Sequence, residues 1–149
     1  DVCLGDFTRT GGVGAVGAGG PEVTGQGARL VGRYILGGRV IQDEWYDNDP
    51  GQNPASTRGV TTRIYDAKKG EWSVSWTSAD RPVITRLKVG MEDGEFVMRT
   101  VDPEAPNYDA VFEREGPDRW TRTAFRTAED GTRTNIWQAI ATRIPCPAE

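Results

Sequence analysis

At 149 residues, 36% of them hydrophobic, the chain has the length and apolar content of one domain with one core. Its net charge is −4 and its basic residues are scattered singly among acids, so it lacks the basic stripe that phosphate backbones demand. It has no histidine, which removes the commonest zinc and haem ligand and every Ser-His or Cys-His nucleophile, and no run approaches the ~20 apolar residues of a membrane helix.

Residues 1–24 form a glycine-rich N-terminal segment. Leu4–Thr10 is compatible with a short helical turn, and Gly11–Gly20 (GGVGAVGAGG) reads as a lid or a weak first strand. Gly12-Val13-Gly14-Ala15-Val16-Gly17 matches the dinucleotide fingerprint. That motif, however, needs a preceding strand and a following helix, and Gly19-Gly20-Pro21 would break the helix at once.

From Gly25 onward, short runs rich in Val, Ile, Thr, Trp and Tyr alternate with Gly, Pro, Asp and Asn clusters, the texture of an all-β domain. Gln26–Leu36 and Arg39–Tyr46 are predicted strands about the tight turn Gly37-Gly38, where glycines supply positive φ. Asp47–Ser56 is a loop. An EF-hand starting at Asp47 would need glycine at Gln52 and a bidentate acid at Arg58, so calcium is not indicated. Further strands are predicted over Gly59–Tyr65, Glu71–Thr77, Val83–Val89, Glu95–Val101, Tyr108–Arg114, Arg119–Thr127 and Thr132–Arg143. About eight or nine antiparallel strands joined by hairpins favour a single up-and-down barrel over residues 1–149, with a sandwich as the alternative.

Cys3 and Cys146 stand at opposite ends of the chain. In a barrel the first and last strands are neighbours, so a disulfide between them is expected, contributing ~3–5 kcal/mol in the chain-entropy treatment. Together with a first residue other than Met, this points to an extracytoplasmic protein; a cytoplasmic one is the alternative.

Alternation assigns the candidate site. In Arg39–Tyr46, Ile41, Asp43 and Trp45 share one face, and a face with Ile and Trp points inward. A carboxylate carried in with them needs a cationic partner. Arg63, which shares a face with Thr61 and Tyr65, is the best-matched one. Trp72 and Trp76 flank Val74 on the apolar face of their strand. These residues are readable as a filled core with an ion pair fixing register, or as the lining of a cavity for one small guest.

Several pieces carry a family resemblance: Gly-Gly-Arg-Val-Ile-Gln-Asp-Glu-Trp (37–45), Gly59…Tyr65-Asp66…Gly70-Glu71-Trp72…Trp76, Asp93-Gly94-Glu95, and Asp130-Gly131 before an aromatic closing strand. In this order they resemble a bacterial family of lipocalin-like (calycin-type) β-barrel proteins of uncharacterised function. The resemblance implies a barrel and carries no activity. Such barrels usually open with Asp-Phe and then Gly-x-Trp; here Gly5-Asp6-Phe7 is followed by glycine-rich sequence without Trp, which implies that the floor of the barrel or its first strand is remodelled.

The favoured function is binding of a small hydrophobic or aromatic molecule. Ile41, Asp43, Trp45, Thr61, Arg63, Tyr65, Trp72 and Trp76 are the candidate lining, with no metal or cofactor, no nucleic acid and an open oligomeric state compatible with a dimer. The alternative is a cofactor-independent cyclase, isomerase or lyase, with Asp43 or Tyr65 as acid/base and Arg63 stabilising an oxyanion. A protein-interaction role would instead require a packed interior and an exposed apolar patch.

Overall fold

The computed structural model describes residues 2–10, 28–47, 57–79, 82–102 and 109–144. Among them there are ten strands and no helix: β1 (Val2–Thr10), β2 (Ala28–Ile35), β3 (Val40–Asp47), β4 (Thr57–Asp66), β5 (Glu71–Ser78), β6 (Ile84–Glu92), β7 (Glu95–Thr100), β8 (Asp109–Gly116), β9 (Arg119–Thr127) and β10 (Arg133–Ile144). All pairings are antiparallel, and from β2 to β10 each strand pairs with its successor. β1 pairs with β10 on one side and with β2 on the other, so the order returns on itself. The β1–β2 ladder is short, with Val2↔Gly32, Cys3↔Val31 and Leu4↔Leu30 as its partners.

Two expectations are corrected. The described residues alone hold ten strands, above the eight or nine inferred from turn spacing. Leu4–Thr10 is not a helical turn but part of β1, where the backbone of Thr8–Thr10 pairs with Gln138–Ile140. Local preference there is weak, and a neighbouring strand that satisfies the backbone N–H and C=O groups outweighs it. The predicted strands fall where expected, with no end moved by more than three residues. Gly11–Gly20, most of the Asp47–Ser56 loop and Cys146 lie outside the described residues, so the lid and the Cys3–Cys146 bond do as well.

Turn chemistry sets the register. Asp93 (φ 50°) and Gly94 (φ 86°) form a two-residue connection between β6 and β7, the left-handed pair that matches strand twist. Between β4 and β5, the Asp66 carboxylate accepts the Lys68 N–H at 3.0 Å while its carbonyl accepts the Gly70 N–H at 2.8 Å.

The strand pairings divide the side chains into two faces. One bears Val74, Leu87, Val89, Met98, Ala110 and Ala124, a buried cluster against which Trp72, Trp76, Phe112 and Ile136 pack. It also bears a separate cluster of Leu30, Ala139 and Ala141 with Trp45. We refer to it as the inward face. The opposite face is mostly polar, though it buries Val40, Val97 and Val111. It carries an ionic chain in which Arg99 bonds Glu92 at 2.6 Å and Asp109 at 2.7 Å, and Thr127 donates to Asp109. No helix among the described residues is long and apolar enough to cross a membrane.

Candidate functional site

The inward face can be followed as rows of cross-strand partners. One row runs Tyr34–Ile41–Arg63–Val74–Leu87–Thr100, and beside it lies Gly32–Asp43–Thr61–Trp76–Thr85. On the other side of Arg63 comes Tyr65–Trp72–Val89–Met98–Ala110–Ala124. Beyond it are Met91–Phe96–Phe112–Arg122–Ala139 and then Arg114–Trp120–Ala141. Ile41, Asp43, Trp45, Thr61, Arg63, Tyr65, Trp72 and Trp76 therefore all occupy the same face.

Asp43 is 3% exposed and forms an ion pair with Arg63 on the neighbouring strand. The partner expected from alternation is the one observed. Burial pushes the Asp43 carboxyl above its ordinary value, with the Arg63 charge and hydrogen bond pulling the other way. The Arg63 side chain keeps 37% of its surface, so one end of the pair remains within reach of solvent or a guest.

Below the pair the face is closed by tryptophans. Trp45 Nε1 donates to Thr61 Oγ1 at 3.2 Å, and its ring meets Trp76 edge-on with centroids 6.3 Å apart. Gly59 is Trp45's cross-strand partner, and a Cβ there would come within 2.5 Å of the Trp76 ring. The glycine is what lets the indole lie against the strand. A hollow of about 110 Å³ lined by Trp76, Ser78, Val83 and Thr85 opens at this end.

The opposite end, where the β2–β3, β4–β5 and β6–β7 hairpins turn, is different. Tyr34 (69%), Tyr65 (49%), Met91 (65%) and Phe96 (38%) belong to the inward face yet are exposed. Tyr65 leans on Trp72 with centroids 5.1 Å apart, and Phe96 on Phe112 at 6.0 Å. Arg122 lies over the Phe112 ring, 5.4 Å from its centroid.

Arg122, Arg114, Phe112, Phe96, Met91 and Tyr34 were not singled out by the sequence reading. For Arg122 the signal existed, since Trp120, Arg122 and Ala124 alternate with Thr121 and Thr123 as Asp43 does with its neighbours. Among the described residues, no cluster of His, Cys, Asp and Glu is placed to hold a metal ion. The chain matches no family model and no curated protein.

Proposed function

We propose that the strands form a lipocalin-like barrel that holds one small hydrophobic or aromatic molecule, entering at the hairpin end and resting above the Asp43–Arg63 pair. The cyclic strand order supports the barrel, since closure is how an up-and-down meander hides its edges. The observation that carries the binding role is the exposure of inward-facing Tyr34, Tyr65, Met91 and Phe96. An interior packed to its rim would cover them; a mouth that receives a guest leaves them bare until it binds. Aromatic walls with a few convergent polar groups are the usual composition of a small-molecule pocket.

The deciding experiment is a thermal-shift screen of small aromatic and aliphatic compounds, with hits measured by calorimetry. A hit should lose about tenfold in affinity in Tyr65→Ala and in Phe96→Ala, as expected for removing a buried aromatic contact. Hits indifferent to both substitutions, or no hit from a broad library, would end this reading.

A further inference from the structure

Some apolar surface at the hairpin end cannot be covered from inside. Ile64 is 53% exposed and lies on the opposite face, across from Val40 and Ser73. Leu36 is 72% exposed and belongs to the turn between β2 and β3, beyond the last paired residues Ile35 and Val40. A guest held among inward-facing side chains would touch neither. With Tyr34 and Tyr65 they make an apolar crest on two hairpins, β2–β3 and β4–β5, which the β3–β4 ladder holds side by side.

Leu36 is also held where leucine is strained. Its φ is 51°, in the left-handed region where a Cβ crowds the backbone. The other non-glycine residue with positive φ among the described ones is Asp93, a type that visits the region far more readily. Glycine at position 36 would remove the strain, as it does at Gly37 and Gly38 (φ 65° and 83°). A strained leucine bare to water at a turn is disfavoured twice by the folded chain alone, and a partner that covers it would offset this.

The charges beside it set the sign of that partner. The two turns hold Arg39, Lys68 and Lys69 and no acid. Asp66 and Glu71 flank the second turn, 3.8 Å and 3.9 Å from Lys69, and offset that one lysine in part. Arg39 and Lys68 are exposed and form no ion pair with a described residue. Farther round the same end, the β6–β7 and β8–β9 turns carry Asp93 and Asp118 and no cation. One side of this end, in a chain of net charge −4, is thus both apolar and cationic. That combination suits a lipid headgroup layer. A second copy meeting this surface across a two-fold axis would set cations against cations.

We propose that the β2–β3 and β4–β5 turns dock on an anionic phospholipid bilayer. Leu36 enters the boundary between headgroups and acyl chains, with Ile64, Tyr34 and Tyr65 at its margin. Arg39, Lys68 and Lys69 meet the lipid phosphates. Apolar area and basic charge add in such binding, and neither alone anchors firmly. The proposal stands whether or not the interior takes a guest.

The test is co-sedimentation of the whole chain with vesicles of phosphatidylcholine, alone or mixed with phosphatidylglycerol. Binding is expected to the mixed vesicles, and about tenfold weaker without the anionic lipid. Lys68→Gln should lose about fivefold on mixed vesicles, the contribution of one basic residue near a charged surface. Leu36→Gly should lose about tenfold while melting at the same temperature or higher, because glycine accepts a φ of 51°. That variant separates docking from folding, since a leucine needed for the fold would lower the melting temperature when removed. No binding to mixed vesicles, equal binding to both kinds, or binding indifferent to Leu36→Gly overturns the proposal. Self-association in place of vesicle binding, seen by light scattering and abolished by Leu36→Gly, would make a second copy the occupant and overturn it too.

Discussion

Asp43 and Arg63 differ in how much water they keep, and that difference sets what each contributes. Orphaning Asp43 leaves a carboxylate at 3% exposure with no counterion, whereas orphaning Arg63 leaves a guanidinium with 37% of its surface free. Arg63→Met should therefore destabilise by about 3–5 kcal/mol at neutral pH, the usual cost of breaking a buried pair, and Asp43→Asn by about 1 kcal/mol. The double replacement Asp43→Leu/Arg63→Met should be neutral or stabilising, because neither charge is then desolvated. Urea unfolding of the three variants checks this; a double variant as unstable as Arg63→Met would show that the pair contributes net stability. Because burial dominates at Asp43, the pair is expected to cost the fold stability.

The same carboxyl gives a pH dependence whose sign is fixed. Its folded pKa is raised above the ordinary 3.8, so in the interval between the two values the folded protein holds a proton that the unfolded chain has lost. The corresponding stability is fully present below the ordinary value and is lost as pH rises through the folded one. Glu92 runs the opposite way. The Arg99 hydrogen bond lowers it from 4.5, so its contribution is present above that value and disappears as pH falls through the folded pKa. Carbon-detected NMR titration should place Asp43 above and Glu92 below their ordinary midpoints, and Arg63→Met should move Asp43 further up. An Asp43 midpoint below 3.8 would reverse the assignment of burial as the dominant cause.

At the level of strands, the pairing of Trp45 with Gly59 explains the closed end of the inward face. A methyl group at position 59 would meet the Trp76 ring and the Thr77 carbonyl, and the carbonyl belongs to the backbone and cannot swing away. Gly59→Ala should cost about 1–3 kcal/mol and alter the near-UV circular dichroism of the Trp45–Trp76 pair. Retention of both stability and spectrum would mean that the strand yields more easily than this packing implies. The strands themselves were legible beforehand. Arg119–Thr127 was placed to the residue, because a Pro-Asp turn precedes it and Glu-Asp-Gly follows it. The β1 strand was not, because Leu4–Thr10 lacks a clear period and becomes extended only through its partner β10.

For the whole molecule, the weakest place is where the strand order returns on itself. β2 shares eight residue partners with β3, from Ala28↔Asp47 to Ile35↔Val40, but three with β1. Local opening follows the number of backbone bonds and apolar contacts that must be broken. Hydrogen exchange should therefore be fastest at the β1–β2 ladder and slowest across β5, β6, β8 and β9, which bear most of the larger buried cluster. Uniform protection around all ten strands would show that the junction is as firm as the rest.

The amino-acid order alone determined the β class, the hairpin turns and the sharing of one face by Asp43, Trp45, Arg63 and Tyr65. Each of these depends on period-two alternation and on residues with special φ, which act within a few positions of the chain. Only the tertiary structure decided that β1 joins β10, and that Tyr34, Tyr65, Met91 and Phe96 face inward yet meet solvent. Those facts depend on which strands become neighbours and where the sheet ends, and no local pattern encodes them.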